Sequence, residues 1–497
     1  MKIHTRHNIL LPFILCCSTV SFADTGLDIE QIQLLSGGSG ISPPEEKLGT
    51  YVVDSGPGLD TGCTFKSGGP LVIELPVPKV VNDSVLVNGK IDPSKVNELI
   101  NEKIISAKVQ ISMPVFDVDS DASVPGRNPE IDRVSFNGKV VGILQGTNGR
   151  WTETRLEVPI EEVDFLKPNL ITVDIDVANP QDSWCMSVDW VALEFDVATP
   201  IVLAHGINSQ SDSWDDDDAP GVITRLDELG VRYERYSVGK NGSTAGNAKQ
   251  LATHINGLLD ELKADKVHII AHSKGGLDTQ NMQAQGVDFE IESLSTFSTP
   301  HLGSVAADFS IIAMEHAATS YHPSGADPHG YANAYLTLPT FVGPQLPGIR
   351  DLTTDVAANA VATGMRGNID NTFSIGANAD LDQDGVIQKD PDIVGLFPYF
   401  SRWAGVRAWQ VLRNYSHAAY VSTETIVVPG SMGAGQVVTL VTYTATATAA
   451  QENDVVVTLA SANPSYAQSL GNVRANHSTM KTRENLERFL NKIKTIR

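Results

Sequence analysis

Apolar and polar positions change their rhythm part-way along the chain. From about residue 61 to 197, short segments such as Pro70–Leu75, Ala107–Ser112, Leu170–Asp176 and Val188–Phe195 are separated by turn residues. Apolar side chains tend to alternate with polar ones in them and helical stretches are few, which predicts an antiparallel β-sandwich domain within residues 24–197. Residues 24 to about 60 carry Gly, Ser and Pro without a clear period and read as a leader that is partly loop. The character changes at Ala198-Thr-Pro200. Beyond it, apolar runs such as Ile201–Ala204 and Val267–Ile270 alternate with helical stretches such as Asn247–Leu262. That alternation predicts βαβ units and a mainly parallel sheet in an α/β domain over residues 198–497. Residues from about 301 to 370 are rich in Ala and poor in strand signals, and read as a helical, lid-like insertion over one end of the sheet. A last helix is expected within Arg483–Arg497, with Leu486, Phe489, Leu490 and Ile493 on one face.

The 497 residues are too many for one ordinary core, consistent with two domains. The first 23 residues stand apart. Lys2 and Arg6 precede an apolar stretch, Ile9–Val20, and Ser21-Phe22-Ala23 supplies a small-x-small cleavage site. This is the pattern of a secretory signal peptide, residues 1–23, so the protein is expected to be secreted or periplasmic. Neither Cys16 nor Cys17 has a small residue just before it, which disfavours a lipoprotein anchor. Cys63 and Cys185 then remain, and an oxidising compartment would join them in a disulfide worth about 2–4 kcal/mol. A net charge of −23 argues against nucleic acid and anionic membranes as partners. No later apolar run is long enough to span a bilayer, and a monomer is expected.

The chemistry starts where Val267-His-Ile-Ile270 runs into Ala271-His-Ser-Lys-Gly-Gly276. A hydroxyl becomes a useful nucleophile when a sharp strand-to-helix turn lifts it clear of the sheet and offers it to a base. Such a turn needs small residues two places either side of the serine, and Ala271 and Gly275 meet that need around Ser273. The following helix aims its first amides at a developing oxyanion. A second backbone donor must come from the loop after an earlier strand, here Ile201-Val-Leu-Ala-His-Gly-Ile207. Lys274 and Ile207 are the expected oxyanion-hole residues.

These motifs, with Ser298-Thr-Pro-His-Leu-Gly-Ser304 after them, resemble the bacterial lipases and esterases of the α/β-hydrolase fold over roughly residues 199–497. The resemblance implies a serine hydrolase of carboxylic esters, with an ester or lipid as substrate and a triad in the order Ser, acid, His. Among the later histidines, His301 precedes any plausible acid, His316, His322 and His329 fall in the expected insertion, and His417 suits a structural role in a helical or loop segment. His477 precedes the last amphipathic helix, where such lipases place their base. For the acid, Asp454 in Glu452-Asn-Asp-Val-Val456 resembles the lipase segment Asn-Asp-Gly-x-Val, with Val455 in the place of Gly; Asp384 is the alternative. The proposed chemistry requires no cofactor.

Asp380, Asp382 and Asp384 stand at positions 1, 3 and 5 of a calcium-type loop, with Gly385 at 6 and Ile387 at 8. Position 12 is Pro391 rather than Glu, so Asp390 or Asp392 would have to close it, and a solvated acidic turn is the competing reading. The lipases' own calcium pattern, an Asp two residues after the base, is absent: Thr479 stands there. Asp117, Asp119 and Asp121, with Asp132 beyond, form a weaker cluster in the front domain. Asp215–Asp218 read as a solvated loop. Trp151, Trp184 and Trp190 suit either a strand core or a carbohydrate-binding face. Other functions remain open at this level: an acyltransferase or peptidase on the same fold, or a non-catalytic surface binding protein.

Overall fold

The computed structural model describes residues 38–54, 64–121, 128–179, 181, 185–215, 221–315, 320–321, 346–364, 369–387, 392, 402–428 and 436–496. The expected signal peptide, Cys63 and Trp184 lie outside them.

Among the described residues the front half holds a two-stranded antiparallel sheet, Leu86–Val87 with Lys90–Ile91, and two larger antiparallel ones. In one, Thr50–Asp54, Trp190–Glu194, Lys108–Phe116, Cys185–Val188 and Thr64–Phe65 follow in that order, and Trp151–Pro159 pairs with the free edge of Lys108–Phe116. In the other, Leu71–Leu75, Asn169–Asp174, Arg133–Phe136 and Lys139–Ile143 are neighbours. Alternation does its expected work here: Ile73 and Leu75 are buried while Val72 and Glu74 are exposed, and Ile171 and Val173 turn to the same interior. Trp190 is buried, its indole N–H donating to the Ile41 carbonyl, so it packs rather than presenting a binding face.

The two halves share one apolar core. A methyl group at Gly230 would stand 2.6 Å from Leu99 and 2.7 Å from Val85, so the backbone of the back half lies directly against side chains of the front. The connecting Ala198 and Thr199 are buried, and the Ala198 amide donates to the Ile104 carbonyl.

The back half, within which elements are numbered, is built on a six-stranded sheet. Its strands are β1 (Ile201–Ala204), β2 (Tyr233–Tyr236), β3 (Lys266–His272), β4 (Glu290–Phe297), β5 (Thr372–Asn378) and, last in the chain, β8 (Gln468–Arg474). They lie in the order β2-β1-β3-β4-β5-β8, every pair parallel. β1, β3 and β4 are buried on both faces almost throughout, which explains the apolar run of β1 and Ile269–Ala271 of β3, while β4 takes Glu292, Ser293, Ser295 and Thr296 inside as well. Helix α1 (Val222–Leu229) begins on the Asp215 carboxylate, which accepts from the amides of Ile223 and Thr224. Asp215 is therefore a helix cap and not part of a solvated loop. Helix α2 (Thr244–Leu262) buries Leu251, Ile255, Leu258, Leu259 and Leu262, one stripe of a 3.6-residue period. Helix α3 (Lys274–Gln285) follows β3.

Two excursions leave the sheet. After β4 come α4 (Val305–Glu315), α5 (Leu346–Arg350) and α6 (Thr354–Ala362). After β5 come α7 (Arg402–Asn414) and a long antiparallel hairpin of β6 (Tyr415–Val428) and β7 (Gln436–Ala447). Phe309, Trp409, Leu412, Tyr415 and Tyr443 join both excursions in a second core. The sequence placed one insertion near 301–370, and the hairpin was missed. His417 consequently sits on a strand, where its Nδ1 meets Thr354 Oγ1 at 2.7 Å. The last helix, α8 (Arg483–Ile493), buries Leu486, Phe489, Leu490 and Ile493, and the Thr482 side chain caps it.

Candidate active site

Parallel strands end at one edge of the sheet, so the loops after β1, β3, β5 and β8 are collected there. Ser273 occupies the single residue between β3 and α3, with φ 54° and ψ −129°. A side chain in that region costs about 1–3 kcal/mol, and the surroundings hold it there. The Ser273 amide donates to the Phe297 carbonyl at 2.9 Å, and Thr299 Oγ1 donates to the Ser273 carbonyl at 2.8 Å. The small residues are sterically required. A methyl at Gly275 would lie 2.3 Å from the Ala204 carbonyl oxygen, and one at Gly206 would lie 2.7 Å from Ser273 Cβ.

The loop after β1 is fixed by His205. The Val238 amide donates to its Nε2 at 3.1 Å, so Nδ1 carries the proton and donates to the Gly206 carbonyl at 2.8 Å. Burial keeps this ring's pKa below its ordinary value, which favours the neutral form that the two bonds require. In a trans peptide the Ile207 N–H points opposite to the Gly206 carbonyl, so His205 also sets the direction of that donor. Lys274 is buried. Its ammonium lies 2.6 Å from Asp278 Oδ1, and Asn247 donates to the other oxygen at 2.9 Å. Burial pushes the Asp278 carboxyl up to about 6 against the pull of Lys274.

Asp454 and His477 come from different loops and meet. His477 Nδ1 lies 2.7 Å from Asp454 Oδ2, and both residues are wholly buried. Asp454 Oδ1 accepts from the amides of Val456 and Val457 at 2.9 and 2.7 Å, and the His477 amide donates to the Asp454 carbonyl at 2.9 Å. Val455, the departure from the lipase segment, has φ 86°, a conformation that glycine adopts freely and a β-branched residue does not. His272, next to Ser273, donates from Nε2 to the His477 carbonyl at 2.9 Å, and the two rings are 4.8 Å apart. Burial drives the His272 pKa well down, so it stays neutral. A carboxylate on Nδ1 fixes the tautomer in which Nε2 exchanges the proton.

Asp384 is exposed, in the turn after β5, and its Oδ1 accepts from the Val386 amide. Asp380 is buried and Asp382 exposed; one oxygen from each of the three acids lies within 4.8 Å of the others. Asp390 lies outside the described residues, as do His316, His322 and His329. His301 is structural: its ring meets Gln280, Tyr466 and Thr296. In the front half, Asp117, Asp119 and Asp132 are buried with Glu130, which sequence reading missed, while Asp121 is exposed. Cys185 is disulfide-bonded, but its expected partner, Cys63, is not among the described residues. His272, His205 and Thr299 were also missed as positioning groups, since each served only as a letter of a motif. No described helix is long and apolar enough to cross a membrane.

No protein-family model matches the chain. It is 30% identical over 121 residues to a triacylglycerol lipase of Pseudarthrobacter phenanthrenivorans, covering 22% of this chain and 35% of that protein. It matches a triacylglycerol lipase of Burkholderia plantarii at 30% over 121 residues, covering 22% and 32%. The chain thus spans about a third of the length of these relatives. Among solved structures, a Bacillus licheniformis lipase in mature form aligns at 18% identity and a TM-score of 0.38, covering 60% of this chain and 92% of that one. A metagenomic carboxyl esterase aligns at 13% and 0.35, covering 59% and 76%.

Proposed function

We propose that the chain is a serine hydrolase of carboxylic esters, of the lipase or esterase type. The observation that carries this reading is the buried Asp454–His477 hydrogen bond, tied through His272 to the strained turn that bears Ser273. The local similarity to triacylglycerol lipases supports ester over peptide substrates.

In this reading His477 Nε2 takes the Ser273 proton as Oγ attacks the ester carbonyl, and Asp454 stabilises the imidazolium. The amides of Ile207 and Lys274 receive the oxyanion, a contribution of about 2.7–4 kcal/mol per donor in comparable sites. The alcohol leaves with the proton from His477. Water, activated by the same histidine, then clears the acyl-enzyme. Every group is a protein side chain or amide, so no cofactor enters a step. The same reading keeps the signal peptide and the Cys63–Cys185 bridge as parts of an exported enzyme.

The test is a panel of p-nitrophenyl esters of increasing chain length beside peptide substrates, with Ser273→Ala as control. Ester turnover that disappears in the folded variant is expected; turnover that survives it overturns the reading. Preference for long acyl chains identifies a lipase, and for short ones an esterase.

A further inference from the structure

We infer that the turn after β5 is a calcium site, and that the ion braces the loops carrying Asp454 and His477. The coupling to those loops rests on the triad reading; the binding itself does not.

Asp380, Asp382 and Asp384 bring one oxygen each to within 4.8 Å of one another. Two oxygens each about 2.4 Å from a shared calcium ion are at most about 4.8 Å apart, so the spread fits one coordination sphere. An acidic turn alone is no site, but Asp380 adds an independent sign. It is 5% exposed, its Oδ2 accepts from the Gly385 amide at 3.0 Å, and its Oδ1 is buried with no hydrogen-bond partner among the described residues. An unsatisfied buried carboxylate oxygen is costly, and a cation is the partner its charge calls for. Gly385, with φ 79°, turns the chain after the third acid. That leaves the Val386 carbonyl as the next donor along the loop. Asp392 is buried beside the turn, where its Oδ1 accepts from the Leu381 amide at 3.3 Å, and it stands outside the group the three acids form. Hard oxygen donors of this kind suit calcium, which tolerates irregular geometry, better than magnesium. The Arg413 guanidinium lies 3.7 Å from where a Gly385 Cβ would stand, and the Arg474 guanidinium donates to the Leu381 carbonyl at 3.4 Å.

The turn is bonded to both catalytic loops. The Ala379 amide donates to the carbonyl of Asn453, the residue before Asp454, at 2.9 Å. The Asn476 side chain, from the residue before His477, donates to the Asp392 carbonyl at 3.3 Å. The Ala475 amide donates to the Asn378 carbonyl at 3.1 Å. Ordering the turn therefore orders the chain on either side of the acid–base pair.

The test is calorimetric titration of chelator-treated full-length protein with calcium chloride, repeated on Asp382→Asn/Asp384→Asn. Both positions are exposed and Asn keeps their backbone bonds, so the variant is expected to fold. Wild type should bind one more ion than the variant, or bind it about tenfold or more tightly. Identical isotherms, or no binding by wild type, overturn the site whatever the protein does to esters. Ester turnover gives the second readout: chelation should lower kcat in wild type and leave the variant unchanged. Wild-type binding with chelator-insensitive turnover overturns the bracing role. If no ester is cleaved at all, the triad reading fails while the calorimetry still decides the site.

Discussion

His477 Nδ1 and Asp454 Oδ2 are 2.7 Å apart, across a gap of twenty-three positions in the chain and out of reach of solvent. Two further backbone amides hold the carboxylate on its other oxygen. Replacing Asp454 with Asn should leave the fold intact and lower kcat by about 10⁴, because the amide stabilises the wrong imidazole tautomer. Asp384→Asn, measured in saturating calcium, should lose far less. Steady-state kinetics of the two variants separates them, and an equal loss would reopen the choice of acid.

His272 holds His477 by its carbonyl. Its removal should displace His477 without touching substrate, so His272→Ala is expected to lower kcat by about tenfold to a hundredfold with KM nearly constant. His272→Gln, which can still donate, should recover part of that loss. A change confined to KM would contradict the positioning role.

Val455 packs in the second core yet sits at φ 86°. Loss of a buried valine side chain costs about 1.5–3 kcal/mol, and relief of the strain returns about 1–3 kcal/mol. Val457, equally buried, has an ordinary φ and no such relief. Val455→Gly should therefore destabilise less than Val457→Gly, by about 1 kcal/mol or more. Denaturant midpoints of the two variants make the comparison.

Glu130 and Asp132 lie side by side in the front half, both buried, and burial raises the pKa of each above the carboxylate range. For each acid the folded value exceeds the unfolded one. The contribution of the pair is therefore fully present at acid pH and is lost as pH climbs through the folded values. Thermal unfolding in chelator should show wild type losing stability between about pH 5 and about pH 8, and Glu130→Gln losing less, by about 1 kcal/mol or more. Equal slopes would contradict the buried-pair account.

Much of this was legible beforehand where one physical demand dominates. β1 is buried on both faces and so reads as an unbroken apolar run, β3 shows the run Ile269–Ala271 between two buried histidines, and α8 buries the four residues its period marks. The β6–β7 hairpin escaped because its Thr- and Ala-rich strands carry little apolar alternation: Tyr443 goes inside while Thr444, Thr446 and residues 420–425 face solvent. The acid stayed ambiguous because a positive φ at Val455 leaves no mark in sequence unless glycine reports it. Asp215 was misread because a cap depends on where the next helix begins, and Glu130 because its burial is a tertiary fact.

The central claim is that Ser273 is the nucleophile. A fluorophosphonate should add once per chain, and peptide mass analysis should find the phosphonyl group on Ser273, with no adduct in His477→Ala at equal exposure. Labelling at another serine, or an intact Ser273 after prolonged treatment, would contradict the account.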